Sequence, residues 1–146
     1  MKNFKRVFLL MLSVMAIAAI ALSAASCGKK KATESVAPGE TAVSGTYGAG
    51  EQSFKFEVTD DQGKVTKFDI LYGEEKTVGE ALVKTGLISG DESEYGLYVK
   101  VVNGLEADYE KDGAYWGFFI DGAFAETGVD STPIEDGKTY AFIYSR

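Results

Sequence analysis

An aromatic segment from Asp112 to Gly122 holds the residues whose types best suit binding chemistry. It reads Asp-Gly-Ala-Tyr-Trp-Gly-Phe-Phe-Ile-Asp-Gly and contains the only tryptophan of the chain. Tyrosine and tryptophan combine a flat ring, which can stack, with a polar group that can hydrogen bond, and this combination is common on ligand surfaces. The segment therefore predicts noncovalent recognition of a flat molecule, although a plain core strand with its hairpin would have the same sequence.

The segment alternates with the period of a β-strand, so its side chains divide between two faces. One face carries Trp116, Phe118 and Ile120, and the other carries Tyr115, Gly117 and Phe119. Gly117 leaves a gap between rings, where another backbone or a flat ligand could approach closely. Asp121-Gly122 predicts a two-residue hairpin, because a type I′ turn needs positive φ at both central positions.

The residue types needed for most catalytic sites are missing from the sequence. The chain has no histidine and one cysteine, which excludes Ser-His-Asp catalysis, Cys-His catalysis within the domain and ordinary zinc sites. Acidic residues are plentiful in segments 108–112 and 130–137, but these segments are polar and typical of turns. Their spacing does not match a calcium loop. We predict a protein that is not an enzyme and holds no metal.

The N-terminal region has the layout of a secretory signal. A basic start is followed by an apolar run over residues 7–22 and by Ala24-Ala-Ser-Cys27, which resembles a bacterial lipobox. A lone cysteine in an exported chain cannot form an internal disulfide, so lipid attachment would give Cys27 a use. An uncleaved membrane anchor or a thiol without a role are the alternatives. We expect residues 1–26 to be a lipoprotein signal peptide and the protein to be anchored on the outer face of the cytoplasmic membrane.

Charge and composition limit the partners of the mature chain. The net charge of the whole sequence is −7, and removing residues 1–26 takes away three positive charges and no negative one, which leaves −10. Such a charge argues against nucleic acid and against docking of the body on anionic lipid. Residues 27–50 are small and polar with few large apolar residues, which predicts a flexible linker. The folded domain would then comprise residues 51–146.

Periodicity within residues 51–146 predicts an α+β fold. Strands are expected at 54–58, 65–72, 97–102, 115–120 and 139–144, a helix at 77–85, and a loop at 87–95. Thr77 and Glu80 have the spacing of a capping box, which supports the start of the helix. This order predicts a β-grasp-like mixed sheet with one short helix, in which the last strand lies centrally and parallel to the first.

Six short motifs occur in an order that resembles a known family. They are Thr77-Val-Gly-Glu-Ala-Leu, Tyr95-Gly-Leu-Tyr-Val, Val102-Asn-Gly-Leu, Tyr115-Trp-Gly-Phe-Phe-Ile-Asp-Gly, Gly128-Val-Asp and Asp136-Gly-Lys-Thr-Tyr. Together they resemble the transcobalamin-like C-terminal domain family. This family is found in bacterial surface lipoproteins and as the smaller domain of animal cobalamin carriers. The resemblance covers residues 53–145.

The resemblance implies a fold and a candidate ligand edge. In the animal carriers this β-grasp-like domain closes over one side of cobalamin, opposite a larger helical domain that has no counterpart in this sequence. The positions that correspond to the ligand edge are Tyr115, Trp116, Phe118, Asp121, Gly122, Val129 and Asp130. Asp121 stands where the family often has asparagine, so a hydrogen-bond acceptor replaces an amide donor.

Two functions remain open from the sequence. The first is a lipid-anchored extracytoplasmic domain that binds cobalamin, another corrinoid or a similar small ligand and passes it to a membrane transporter, with no further cofactor. The second is a cell-surface protein-interaction module without a small-molecule ligand. A concave aromatic site would favour the ligand, whereas a flat aromatic patch beside an unpaired strand would favour a partner protein.

Overall fold

The computed structural model describes residues 32–146. The predicted signal peptide, the predicted lipidation site at Cys27 and residues 28–31 lie outside the described residues. Within residues 32–146, none of the helices is long and apolar enough to span a membrane.

The described chain forms nine strands, two short helices and one 3-10 turn. In chain order they are β1 (Gly45–Gly48), β2 (Gln52–Thr59), β3 (Val65–Tyr72), α1 (Val78–Lys84), β4 (Ile88–Ser93), β5 (Gly96–Val102), β6 (Leu105–Glu106), α2 (Tyr109–Asp112), β7 (Tyr115–Ile120), β8 (Ala123–Phe124), the 3-10 turn (Val129–Ser131) and β9 (Thr139–Ser145). The fold is therefore a mostly β, mixed α+β arrangement. The predicted short helix is present, and α2 adds a single turn.

Six of the strands form the main sheet, in the order β1-β3-β2-β9-β7-β8. β9 lies between β2, to which it is parallel, and β7, to which it is antiparallel. The prediction that the last strand is central and parallel to the first predicted strand is confirmed. A smaller antiparallel sheet contains β4, β5 and β6.

The core lies on one face of the main sheet, where alternate residues of four strands bring their rings together. Phe56 pairs in register with both Phe68 and Tyr140, and Phe118 pairs with Phe142. The ring centroids of Phe118 and Phe142 are 5.1 Å apart. Because period-two alternation places these residues on the same side of the sheet, the aromatic rings pack as one continuous layer.

Helix α1 covers part of this core, and its start has the predicted capping box. The Thr77 hydroxyl accepts a hydrogen bond from the Glu80 amide at 3.2 Å, and the Glu80 carboxylate accepts one from the Thr77 amide at 3.3 Å. These bonds satisfy amide groups that have no partner within the helix. Nearby, hydrogen bonds from the Lys84 ammonium and then from the Gly73 amide lower the pKa of Glu75 to about 2.

The prediction of a loop at residues 87–95 is wrong, because β4 pairs with β5 there. Only Ile88 of this strand is buried, so the segment lacks the apolar alternation that marks a half-buried strand. Main-chain pairing with β5 holds it, and an ion pair between Asp91 and Lys100 at 2.6 Å lies across the two strands. The acidic residues that suggested a loop face solvent.

The described part of the predicted linker, residues 32–50, also differs from the prediction. Residues 33–48, which we call the strap, pack along the body, and β1 within the strap pairs in parallel with β3. Tyr47 is buried, and its ring meets that of Phe68 edge to face at a centroid distance of 5.5 Å. One aromatic anchor and main-chain hydrogen bonds are enough to order a segment whose composition is otherwise that of a spacer.

Candidate functional site

The residues of the predicted ligand edge do not gather in one place. Trp116 and Phe118 face the core and are 7% and 8% exposed, whereas Tyr115 is 40% exposed on the opposite face of β7. Asp121 and Gly122 lie at the far end of the same strand. A single small ligand on one face of β7 cannot contact the inward and the outward rings together.

The Asp121-Gly122 hairpin has the predicted turn. Both residues have positive φ, +49° and +82°, as a type I′ turn requires. The Asp121 carboxylate accepts a hydrogen bond from the Thr139 amide at 2.8 Å and pairs with the Lys138 ammonium at 3.2 Å. The first of these contacts contributes most to lowering the pKa of Asp121. Asp121 therefore fastens the hairpin to β9.

Val129 and Asp130 lie in the 3-10 turn, which packs between α1 and β5. Val129 is buried. The Asp130 carboxylate accepts a hydrogen bond from the Leu97 amide at 3.0 Å through Oδ2, and its other oxygen is buried without a donor among the described residues. Asp130 thus links the turn to the start of β5.

An aromatic patch lies on the outer face of β7 and β8, and we call it the β7 patch: Tyr115, Phe119, Phe124 and Ile143. The rings of Phe119 and Phe124 meet edge to face at a centroid distance of 5.4 Å. The prediction of a gap at Gly117 is wrong, because the rings of Phe119 and Phe124 fill this space. A Cβ atom at Gly117 would lie 3.0 Å from the Phe119 ring and 3.6 Å from the Phe124 ring.

The β7 patch is exposed and lies beside an edge of the main sheet that is only partly covered. Phe124 is 65% exposed. Within residues 32–146, β8 pairs with only Phe119 and Ile120 of β7, and the Ala125 amide adds one hydrogen bond to the Phe118 carbonyl at 2.9 Å. The first half of β7 has no strand on that side in the described part of the chain. The β7 patch is thus on an uncovered sheet face and borders an open strand edge.

A concave site lies on the core side of the main sheet, at the end where the strap crosses the core. This site, which we call the strap cleft, has a volume of about 550 Å³. Its walls come from the strap, the β2–β3 hairpin, the β5–β6 turn and β7: Thr41, Ala42, Val43, Ser44, Val58, Asp60, Asp61, Lys64, Val65, Thr66, Val102, Asn103, Leu105 and Trp116. Trp116 is the predicted site residue that lines the strap cleft.

The strap cleft combines an apolar interior with a charged rim. Val58 and Val102 are buried, and the Trp116 ring lies with them. At the rim, Asp60 accepts hydrogen bonds from the Gln62 and Lys64 amides, both at 2.9 Å, so one of its oxygens is used to hold the hairpin. Asp61 is exposed, and its only hydrogen bond is from the side chain of the adjacent Gln62.

Lys64 and Trp116, which line the strap cleft, each carry a donor that has no protein partner in residues 32–146. The Lys64 ammonium forms no ion pair with a carboxylate within 4.0 Å, and the indole N–H of Trp116 is buried without an acceptor. Buried donors are usually satisfied, so the indole group is an exception that marks this region. The arrangement offers an apolar contact surface with cationic and anionic groups at its mouth.

Sequence reasoning identified Trp116 but not the rest of the strap cleft. Residues 41–44 belong to the predicted linker, and Asn103-Gly104 appears only as part of the motif Val102-Asn-Gly-Leu. Asn103 is a buried polar residue, and no periodic pattern signals which backbone it will contact. Among residues 32–146, no group of three or more acidic, histidine or cysteine side chains is close enough to hold a metal ion.

Comparisons with known proteins find a matching family model and solved structures of similar fold. Residues 75–146 match the family model "Domain of unknown function (DUF4430)". No curated protein matches the sequence. The structure is similar to a crystal structure of a proposed metal-binding protein from Ruminococcus gnavus ATCC 29149, with a TM-score of 0.60 and 26% identity, over 66% of this chain and 98% of that one.

The structure is also similar to haptocorrin, whose crystal structure was determined in complex with Cbi. The TM-score is 0.55 and the identity 18%, over 64% of this chain and 25% of haptocorrin. At this identity the likeness concerns the fold, and this chain spans about a quarter of the length of haptocorrin. The chain therefore matches DUF4430 over residues 75–146 and shares the fold of one part of haptocorrin.

Proposed function

We propose that this protein is a non-enzymatic binding domain that takes one edge of a corrinoid, or of a similarly flat and polar-edged molecule, into the strap cleft. The observation that carries the proposal is the strap cleft itself, which is concave, apolar inside and charged at its mouth. Its volume of about 550 Å³ falls within the range of small-molecule sites, roughly 300–1,000 Å³. A concave aromatic site is the feature expected to favour a ligand over a protein partner, and the strap cleft is concave with one aromatic lining residue, Trp116.

The corrinoid is the leading ligand for two reasons. The first is the fold shared with haptocorrin, together with a sheet order that suits the β-grasp-like arrangement of the resembling family. The second is chemical: the periphery of a corrinoid carries amide groups, which can donate hydrogen bonds to the Asp60 and Asp61 carboxylates while the ring edge contacts Trp116. A cleft of this size holds an edge and not the whole macrocycle, which suggests micromolar affinity, about −8 kcal/mol.

The proposed location is the outer face of the cytoplasmic membrane, with a lipid at Cys27 and delivery of the ligand to a membrane transporter. The strap makes this tether short. Its first backbone bond to the rest of the strap is at Thr33, whose amide donates to the Thr46 carbonyl at 2.9 Å. Residues 28–32 are then the only ones between the lipid and the packed body. Fully extended, they reach roughly 20 Å, so the body stays close to the membrane.

Cys27→Ser should abolish lipid attachment, because a serine cannot form the thioether with the lipid. Expressed in a bacterial host, the wild type should partition with membranes and carry the added mass of a lipid at Cys27. The variant should be released or remain as an uncleaved precursor, which fractionation and mass spectrometry would separate. A Cys27→Ser protein that is processed normally and stays in the membrane fraction contradicts the lipoprotein proposal.

Calorimetric titration of cobinamide and cobalamin into residues 28–146 tests the ligand proposal. We expect binding in the micromolar range, and Asp61→Ala should weaken it at least about tenfold, because a charge-assisted hydrogen bond contributes about 1.5–3 kcal/mol. Asp61 suits this test because its side chain supports no backbone group. Tyr115→Ala is the matched control, since it removes an exposed ring from the β7 patch and should leave the affinity unchanged.

The outcomes of this titration separate the two sites. Affinity lost with Asp61→Ala and kept with Tyr115→Ala supports the strap cleft. The opposite pattern, in variants that melt like the wild type, moves the ligand to the β7 patch. If well-folded protein shows no heat of binding at millimolar corrinoid, this domain does not bind a corrinoid on its own.

The second candidate function is docking of a partner protein at the β7 patch. The specific observation in its favour is that Phe124 is largely exposed beside the open edge of β7. Exposed aromatic groups next to unpaired strand backbone suit addition of a partner strand. This candidate becomes the leading one if the titration shows no binding.

A further inference from the structure

One wall of the strap cleft is held much more weakly than the others. We call residues 37–45 the strap wall, and Ala42 is their only buried residue. Val43 is 76% exposed although it is apolar. Segments with few buried apolar contacts open locally at low cost in free energy. The strap wall is thus the part of the strap cleft best suited to move.

Both ends of the strap wall are fixed more firmly. On one side, the Val36 amide donates to the Thr85 carbonyl at 2.8 Å at the end of α1. On the other side, the rest of β1, residues 46–48, pairs with β3, and Tyr47 is buried. The strap wall can therefore leave the body as a loop while its two ends stay in place.

Asn103 holds the middle of this loop to the body, while the Tyr47 hydroxyl donates a hydrogen bond to the adjacent Val43 carbonyl from within the strap at 2.9 Å. Asn103 accepts a hydrogen bond from the Ala42 amide at 2.7 Å and donates one to the Ala42 carbonyl at 3.2 Å. Its left-handed conformation, with φ of +49°, turns the backbone so that the amide faces the strap. Gly104 follows, and a Cβ there would lie 2.7 Å from the Glu40 carbonyl oxygen. The strap wall thus rests directly on the Asn103-Gly104 turn.

We propose that the strap wall is a lid on the strap cleft and that Asn103 is its latch. The inference rests on the proposed ligand site, because Thr41, Ala42, Val43 and Ser44 form the movable side of that site. It explains how a cleft sized for one edge of a corrinoid admits the molecule: the latch opens, the edge enters against Trp116, and the wall closes on it.

The lid also connects the ligand site with the tether. The strap begins at Thr33, only six residues after Cys27, so a pull on a lipid-anchored chain acts first on the strap. Release of the strap wall exposes the Ala42 peptide and the Asn103 amide to water together, so neither is left buried without a partner. Opening therefore does not require unfolding of the main sheet.

Asn103→Gly tests the latch without straining the turn, because glycine adopts positive φ freely. Asp121→Gly is the matched control: Asp121 has the same φ of +49°, and its side chain also accepts a hydrogen bond from the backbone, at the other hairpin. Trp116 is the only tryptophan and reports on the strap cleft directly. We would measure acrylamide quenching of its fluorescence in residues 28–146, and amide hydrogen exchange of residues 37–45.

With no ligand present, Asn103→Gly should raise the quenching constant of Trp116 at least twofold and speed exchange of the Ala42 amide at least tenfold. Asp121→Gly should change neither, and amides of β2 and β9 should exchange as in the wild type. Unchanged quenching and unchanged exchange of the strap wall in Asn103→Gly would overturn the proposal. Neither measurement uses a corrinoid. A result that overturns the lid proposal is therefore distinct from a result that overturns the proposed ligand.

Discussion

Removal of residues 139–146 should leave a chain that no longer folds cooperatively. These residues form β9, which hydrogen bonds to β2 on one side and to β7 on the other. Tyr140 and Phe142, both buried, lie at the centre of the aromatic layer. Truncating one such ring costs about 3–5 kcal/mol, and a small domain has only about 5–15 kcal/mol of stability. The free energy lost with both rings and with the strand hydrogen bonds on both sides of β9 exceeds this stability.

Circular dichroism melting measures this result, and removal of Arg146 alone is the control. Arg146 is exposed and lies after β9, so its removal should leave the melting curve unchanged. A cooperative melt from the protein lacking residues 139–146 would contradict the central position of β9.

Removal of the strap should cost about 3–5 kcal/mol, the loss expected for a buried aromatic side chain. A protein starting at residue 51 lacks β1, the Tyr47 ring against Phe68, and the hydrogen bonds from the strap to Thr85 and Asn103. It also leaves β3 as an exposed edge strand, which invites aggregation. Urea denaturation gives the free energy of unfolding directly.

The matched control for this experiment starts at residue 32 and keeps the whole strap. It should unfold at the same urea concentration as the chain that starts at residue 28. Equal free energies of unfolding for the proteins starting at residues 32 and 51 would mean that the strap contributes no stability, and the correction to the predicted linker would then be wrong.

The parts of the fold that the sequence predicted are those set by local chemistry. Thr77 and Glu80 specify the start of α1 because two short-range hydrogen bonds form there. Asp121-Gly122 specifies the hairpin because both positions need positive φ. Alternating large apolar residues in β2, β3 and β9 specify strands with one buried face. Each of these signals is contained within a few residues.

The parts that differ from the prediction depend on contacts that leave no periodic pattern in the local sequence. β4 has one buried residue and is held by pairing with β5, which leaves no periodic signal in its side chains. The composition of the strap predicts a linker, because it gives no sign of the hydrogen bonds that Ala42 forms with Asn103, 61 residues away. The gap at Gly117 was filled by Phe124, which comes from the neighbouring strand of the hairpin.

The candidate site was predictable only in part, for the same reason. Trp116 stood out because it is the only tryptophan in a ring-rich strand. The residues that line the strap cleft with it come from the strap, the β2–β3 hairpin and the β5–β6 turn. Their meeting is decided by how the strap and the two sheets pack together, which a local pattern does not contain.

The most direct test of the ligand proposal is a heteronuclear NMR titration of residues 28–146 with cobinamide. The single indole N–H resonance of Trp116 gives one signal from a residue that lines the strap cleft, and residues 41–44, 60, 61 and 64–66 line it as well. We predict saturable shifts of the indole resonance and of the amides of these residues at micromolar ligand, with the amides of Tyr115 and Phe124 unaffected. Shifts confined to Tyr115, Phe119 and Phe124, or no shifts at millimolar cobinamide, would contradict a corrinoid site in the strap cleft.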